Sequence, residues 1–116
     1  MRSEWGDLLL LAFPFASGPI TKQRPALVLL DTGDEDVLVA RVTAQPYSTP
    51  FDVAISNWEA AGLIAPSTVR LPKIATVEKR LVKRKLGSLQ ERDRSAAWAA
   101  FRRIYCGSEA PRLTPP

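Results

Sequence analysis

Short apolar runs separated by turn-forming residues fill the first three quarters of the chain. Runs of four to six apolar or alternating residues bounded by Gly, Pro and Asp are typical of short β-strands. One such boundary is Gly18-Pro19, and another is the segment 31–36 around Gly33, which predicts a hairpin turn. The predicted strands are Leu8–Phe13, Ala26–Leu30, Leu38–Thr43, Phe51–Ile55, Ser67–Leu71, Ile74–Val77 and Leu86–Leu89.

The apolar pattern changes to helical spacing near the end of the chain. Ser88 and Glu91 have the spacing of a capping box, which predicts the start of a helix. Residues at three- and four-residue intervals then form an aromatic stripe that we expect to pack in the core. The stripe comprises Ala97, Trp98, Phe101, Ile104 and Tyr105. A single helical turn is also predicted earlier, from a cap at Asn57 to Gly62.

Together these elements predict a mainly β fold. We expect a small β-barrel with a short helix after the fourth strand and a C-terminal helix packed on the barrel. A chain of 116 residues is one domain, predicted here over residues 1–107. Residues 108–116 contain three prolines and are predicted to be a flexible tail.

The charge is unevenly distributed along the chain. Residues 1–58 hold four basic and seven acidic residues, whereas residues 59–116 hold twelve basic and five acidic ones. The second half is therefore the half expected to face a polyanion. Its basic segment, Lys79–Lys85, has two open interpretations: an edge that faces RNA or a partner, or a charged edge that prevents aggregation.

Cysteine and histidine usage excludes several kinds of site. Cys106 is the single cysteine and the chain has no histidine, so an intrachain disulfide, a Cys/His zinc site and a Ser-His-Asp triad are excluded. We predict neither a metal nor a cofactor. The apolar run that begins at Leu8 is too short to span a bilayer and follows acidic residues, so a cytoplasmic protein without membrane attachment is expected.

Two strand ends offer chemistry that suits a phosphate. Arg24 stands at the mouth of the second strand and Thr43 ends the third, so a guanidinium and a hydroxyl come from consecutive strands. Arginine is a poor base, which makes its electrostatic role more secure than an acid-base role. Further candidates for RNA contact are Lys22, Gln23, Gln45, Arg70 and Lys73.

These residues occur within a longer pattern that resembles a known family. From Trp5 to Tyr105 the chain is similar to the MazF/PemK toxin ribonucleases of type II toxin-antitoxin systems. The segments that carry the resemblance are Gly6-Asp7, Phe13-Pro14-Phe15, Lys22-Gln23-Arg24-Pro25, Val42-Thr43-Ala44-Gln45 and the run WEAAGLIAPSTVR at 58–70.

The resemblance implies a function and partners. It implies an SH3-like barrel in which Arg24 and Thr43 are the catalytic pair and the loop 16–23 gates the RNA groove. It also implies metal-independent, sequence-specific cleavage of single-stranded messenger, transfer or ribosomal RNA, leaving a 2′,3′-cyclic phosphate and a 5′-hydroxyl. A homodimer and a cognate antitoxin are the implied partners.

Two alternatives remain open at this level. The same fold occurs in non-enzymatic toxins that inhibit DNA gyrase, in which case Arg24 and Thr43 would be incidental. An inactive RNA-binding or interaction module is the third reading. Analysis of RNA products separates these classes.

Overall fold

The computed structural model describes residues 2–14 and 21–107, which form a mainly β fold with a C-terminal helix. This confirms the predicted fold class. The strands are β1 (Asp7–Pro14), β2 (Thr21–Asp31), β3 (Asp36–Thr43), β4 (Asp52–Ala54), β5 (Thr68–Glu78) and β6 (Val82–Ser88). A 3-10 helix covers Lys79–Leu81, and helix α1 (Glu91–Phe101) continues into a π-helical segment, Arg102–Cys106. None of the described helices is long and apolar enough to cross a lipid bilayer.

The strands form one antiparallel sheet in the order β4-β5-β3-β2-β1-β6. β5 and β6 are four strand spacings apart in this order, which is about 19 Å in a flat sheet. Only Lys79–Leu81 joins them, and three residues of 3-10 helix rise about 6 Å. The sheet is therefore rolled. The predicted barrel is incompletely closed, because β4 and β6 do not pair among the described residues.

Two predicted strands are in fact one. β5 runs through both Ser67–Leu71 and Ile74–Val77, with an irregularity between them. Ala40 pairs with Ile74 but its neighbour Arg41 pairs with Arg70, so residues 71–73 bulge out of the β3–β5 ladder. Pro72 lies in this bulge, where the N–H that proline lacks is not needed for pairing.

The predicted helix after the fourth strand is present as one turn and goes no further. Residues 56–62 form consecutive turns, in which the N–H of Ala61 donates to the carbonyl of Asn57 at 3.1 Å and the N–H of Gly62 donates to that of Glu59 at 3.0 Å. The buried carboxylate of Asp93 in α1 accepts the backbone N–H groups of Ser56 (2.9 Å) and Asn57 (2.8 Å). A tertiary contact thus fixes the start of this turn.

The core has two parts, one on each side of the rolled sheet. On the outer face, buried residues of the sheet, including Leu8, Leu27, Val42 and Val69, pack against Ala97 of α1. On the inner face, a second cluster comprises Leu9, Leu11, Ala26, Val28, Val37, Val39 and Val77. Side chains alternate between these faces along each strand, so both faces of the central strands are buried.

Helix α1 differs from its prediction at both the cap and the core. Gln90 occupies the N-cap position without a side-chain cap, and the Ser88 hydroxyl instead donates to Asp7 Oδ1 at 2.7 Å. The buried positions are Asp93, Ala97 and Ala100. Small alanines bring the helix close to the sheet and leave the larger aromatic side chains at its edge. Trp98 is consequently 48% exposed, so its predicted core position is wrong, while Phe101 is half-buried.

The edge aromatic residues form their own cluster. Trp5 meets Trp98 and Phe101 edge-on, with ring centroids 5.2 and 5.7 Å apart, and Phe101 contacts Tyr105 at 5.0 Å. The Tyr105 hydroxyl donates to the carbonyl of Leu71, and burial raises the pKa of this phenol. The cluster attaches the end of the helix to the sheet. The predicted tail, 108–116, lies outside the described residues.

Candidate active site

Arg24 and Thr43 lie on the same face of the sheet, on neighbouring strands. Ala26 on β2 pairs directly with Arg41 on β3, and directly opposed residues share a face. Arg24 is two residues from Ala26 and Thr43 two residues from Arg41, so the alternation of side chains places both on the inner face. Thr43 ends β3, whereas Arg24 lies inside β2, which begins at Thr21 and not at the predicted Ala26.

Thr43 is held in a defined position. It is buried, pairs with Thr68 across the β3–β5 ladder, and its Oγ1 accepts the backbone N–H of Gln45 at 3.2 Å. A hydroxyl that accepts one hydrogen bond still has its own proton to donate. The Thr43 side chain can thus donate to an oxyanion without breaking its structural contact.

Arg24 is half-buried and lies within β2. It pairs with Leu11 of β1, one of the inner-face core residues, which supports the aliphatic part of its side chain. Its guanidinium makes no ion pair or hydrogen bond to the described part of the chain. The Arg24 fork is available for a bidentate anion.

Arg70 shares the inner face, but its guanidinium already contacts Asp52 and Tyr47. Its Nε donates to Asp52 Oδ1 at 2.9 Å, and its guanidinium carbon lies 3.8 Å from the ring centroid of Tyr47. The Asp52 hydrogen bond raises the pKa of Arg70. Burial opposes ionisation of Asp52, but hydrogen bonds from Thr49 and Arg70 outweigh it and lower the pKa of this carboxyl. Arg70 is therefore anchored at the border of the site.

The other predicted RNA contacts are spread around the site. Lys22 shares the inner face with Arg24 and is exposed, whereas strand alternation puts the exposed Gln23 on the other face. Gln45 follows the end of β3, and its Oε1 accepts the Tyr47 hydroxyl at 3.4 Å. Lys73 is exposed in the β5 bulge. Of the predicted gating loop 16–23, residues 16–20 lie outside the described residues.

Arg41 is not among the predicted site residues, yet it lies on the inner face, two residues before Thr43 on β3 and opposite Ala26 on β2. Its direct partners are Ala26 on β2 and Arg70 on β5. Its position two residues before Thr43 on one strand was the sequence signal available for it. The inner face at this end of the sheet thus holds three arginines and one carboxylate, that of Asp52.

The basic segment Lys79–Lys85 is partly structural. Lys79 Nζ lies 2.7 Å from Asp31 Oδ1, Arg80 pairs with Glu78 at 2.9 Å, and Lys85 lies 3.4 Å from Asp7 Oδ1. Asp31 also accepts the N–H groups of Ser3 and Gly33. These contacts join the start of the chain, the β2–β3 hairpin and the 3-10 helix.

Comparison with known proteins finds a protein family that matches most of the chain. The sequence model of the PemK-like, MazF-like toxins of type II toxin-antitoxin systems matches residues 4–105. A comparison with curated protein sequences finds no significant match.

Solved structures share the fold at low sequence identity. A mycobacterial endoribonuclease in complex with its cognate antitoxin has a TM-score of 0.73 at 18% identity, covering 95% of this chain and 100% of its own. The Mycobacterium tuberculosis toxin MazF-mt6 gives 0.67 at 20%, covering 84% and 96%. MazF of a Deinococcus radiodurans MazE-MazF structure gives 0.73 at 20%, covering 91% and 97%. The rolled sheet, the α1 packing and the family match over nearly the whole chain show that this protein belongs to the PemK-like, MazF-like toxins of type II toxin-antitoxin systems.

Proposed function

We propose that the protein is a metal-independent, sequence-specific endoribonuclease that acts on single-stranded RNA in the cytoplasm. The observation that supports this most directly is the shared inner face of Arg24 and Thr43 on neighbouring strands, in a member of a toxin family. The proposed products are a 2′,3′-cyclic phosphate and a 5′-hydroxyl.

RNA carries its own nucleophile, the ribose 2′-hydroxyl. The protein therefore needs to position this group and stabilise the transition state, and need not supply a nucleophile of its own. The ribose 2′-oxygen forms a bond to phosphorus, and the bond from phosphorus to the 5′-oxygen breaks. The transition state carries more negative charge on the nonbridging oxygens than the substrate does. Arg24 donates two N–H groups to these oxygens and Thr43 donates its hydroxyl. Solvent water takes the 2′-proton, and the leaving 5′-oxygen takes a proton from the Arg24 guanidinium, which solvent then returns to the arginine.

The direct experiment treats mixed RNA with purified protein in EDTA and determines the sequence and chemistry of the new ends. We expect cyclic phosphates and 5′-hydroxyls at one short sequence. Arg24→Ala and Thr43→Val should each lower the cleavage rate by about 10²-fold or more, since each removes a donor to the developing charge. Arg92→Ala, which removes an exposed arginine of α1, is the matched control.

Other results would favour the alternatives. Cleavage unchanged in both site variants would refute the proposed pair. RNA that binds and is never cut would indicate an inactive module, and inhibition of DNA gyrase without RNA cleavage would indicate the non-enzymatic class. Loss of cleavage together with a lowered melting temperature in Thr43→Val would report on folding rather than chemistry.

The proposed partners are a second copy of the chain and a cognate antitoxin. Related toxins have been solved with their antitoxins, and residues 59–116 of this chain carry a net charge of +7. We propose a homodimer with an RNA groove near the interface, covered in the inhibited state by an acidic antitoxin segment. Light scattering of the purified toxin measures the first part, and a monomer at micromolar concentration would contradict it.

Antitoxin affinity should fall as salt rises. Charge pairing across an interface weakens when ions screen it, so the dissociation constant should increase steadily with ionic strength. Titration at several salt concentrations tests this. An affinity indifferent to salt would show that apolar contacts dominate the complex.

A further inference from the structure

Arg41 contains a buried hydrogen-bond donor that the described chain does not satisfy. Its Nε is shielded from solvent and has no hydrogen-bond partner among residues 2–14 and 21–107. Buried polar atoms in folded proteins nearly always have a partner, since their lost hydration is otherwise not replaced. An orphaned donor on a cationic side chain is therefore a favourable place for an anionic acceptor.

The nearest carboxylate across the sheet is already used by other residues. Asp52 pairs with Arg70 in the β4–β5 ladder, and its Oδ1 accepts Arg70 Nε. Its Oδ2 accepts both the N–H and the hydroxyl of Thr49, at 3.1 and 2.6 Å. Asp52 makes no hydrogen bond to Arg41 among the described residues, and the direct cross-strand partner of Arg41 on β5 is a second arginine, Arg70. Like charges in this position are unfavourable unless an anion lies between or beside them.

The position of Arg41 places it beside the proposed chemistry. It precedes Thr43 by two residues on the same face of β3, and its β2 partner is the small Ala26, two residues from Arg24. Residues two apart on a strand are separated by about 7 Å, a distance that an arginine side chain can cover. Arg24, Arg41 and Thr43 can therefore converge on one phosphate.

We propose that Arg41 is a further catalytic residue, whose guanidinium donates to a nonbridging oxygen of the scissile phosphodiester beside Arg24 and Thr43. This rests on the proposed ribonuclease function. Cleavage takes the phosphate from one negative charge towards two, and a second guanidinium matches the added charge. Since this contact strengthens as charge develops in the transition state, Arg41 lowers the barrier more than it tightens substrate binding.

The test compares Arg41→Met with Arg92→Met, which removes the same group from an exposed position on α1. The substrate is a short RNA that the wild type cuts, and its analogue with a 2′-deoxyribose at the scissile position measures binding without cleavage. We expect Arg41→Met to lower kcat by about 10²-fold, with a much smaller change in Kd for the analogue. Arg92→Met should match the wild type. An unchanged kcat, or a loss confined to Kd, overturns the catalytic role.

Arg41→Met should lower kcat without lowering the stability of the fold. Methionine removes the unsatisfied Nε–H and the charge facing Arg70, so Arg41→Met should melt at or above the wild-type temperature. If the variant instead fails to fold, Arg41→Lys takes its place, because lysine keeps the charge but lacks the planar fork. Its kcat should then lie below that of Arg92→Lys, and equality would overturn the proposal.

A second measurement separates this inference from the ribonuclease proposal. Melting temperatures are compared in inorganic phosphate and in chloride at equal ionic strength. General salting-out stabilises every variant, but wild type and Arg92→Met should gain more from phosphate than Arg41→Met does. Equal gains would overturn the anion site. If the wild type cuts no RNA, the ribonuclease proposal fails, and the phosphate comparison still decides whether Arg41 binds an anion.

Discussion

At the scale of single residues, strand alternation places two neighbouring candidates for RNA contact on different faces of the sheet. Lys22 and Gln23 are adjacent in the sequence and both are exposed, yet Lys22 shares the inner face with Arg24 and Gln23 does not. The sequence alone predicts both as RNA contacts. The register gives them different expected roles.

A paired substitution tests this difference. Lys22→Ala should weaken RNA binding and reduce the slope of log affinity against log salt by about one, as expected for one lost phosphate contact. Gln23→Ala should leave both quantities near the wild type. Binding of uncleavable RNA at several salt concentrations is the measurement, and an equal effect of the two substitutions would contradict the assignment of faces.

Gly62 is required by the packing of backbone against backbone. Its φ is 93°, and a Cβ at this position would lie 2.1 Å from the carbonyl oxygen of Leu86. Gly87 makes the reciprocal approach, with its Cβ position 2.2 Å from the carbonyl oxygen of Ala61. The turn at 56–62 and strand β6 can therefore touch only because both positions lack a side chain.

Gly62→Ala should lower the free energy of unfolding by about 3 kcal/mol, from overpacking and an unfavourable φ together. Gly33→Ala is a matched control. Its φ is also positive at 87°, but its Cβ would meet only the end of the flexible Arg2 side chain at 3.2 Å, so about 1 kcal/mol is expected. Urea denaturation of both variants measures the difference, and equal losses would show that φ alone matters.

At the scale of elements, Asp93 joins α1 to the turn that follows β4. This carboxylate is 2% exposed and accepts the N–H groups of Ser56 and Asn57. Asp93→Ala should lower the free energy of unfolding by about 2–4 kcal/mol, because two part-buried donors lose a charged acceptor. Asp93→Asn keeps one acceptor oxygen and should lose less.

Hydrogen exchange shows where the effect of Asp93→Ala occurs. Protection should fall first at the amides of Ser56 and Asn57, with the β1–β2 ladder less affected. Glu91→Gln, an exposed substitution in the same helical turn, is the control. Unchanged protection at 56 and 57 would contradict the contact.

At the scale of the whole molecule, aspartates hold distant segments together and link stability to pH. Lys79 donates to Asp31, which with the N–H groups of Ser3 and Gly33 lowers the pKa of this carboxyl well below its usual range. Burial opposes ionisation of Asp7, but hydrogen bonds from Glu4 N–H and Ser88, together with Lys85, give a lowered pKa. A carboxyl whose pKa is lower in the folded state stabilises the fold above its unfolded pKa.

Stability should therefore fall as the pH drops from about 5 through the unfolded aspartate pKa towards the lower folded values. Asp31→Asn should be less stable than the wild type at pH 7 and lose less stability between pH 6 and 3. Urea denaturation across this range is the measurement. Glu59→Gln, whose side chain makes no hydrogen bond or ion pair to the described residues, is the control. An Asp31→Asn pH profile parallel to the wild type would contradict the linkage.

Much of the fold is readable from local pattern, because burial on one side of a strand or helix leaves a periodic trace. The apolar runs locate β1, β2 and β3, and the spacing before Tyr105 locates α1. The errors occur where distant residues override local preference. Asp7 accepts the hydroxyl of Ser88, the residue predicted to cap α1, and a single strand with a bulge around Pro72 replaces two predicted strands.

The sequence by itself determined that Thr43 ends an apolar run and that Arg24 precedes the next one, because a residue's place relative to an apolar run is a local property. It did not determine the start of β2, which lies at Thr21 and not at Ala26. Only the tertiary structure decided that Arg41 and Lys22 lie on the same face as Arg24 and Thr43 and that Gln23 does not. It also decided that Arg70 donates a hydrogen bond to Asp52. Those facts depend on the register between strands and on the rolling of the sheet. Register is set by packing of the whole sheet, and a one-residue slip would move every side chain of a strand to the other face.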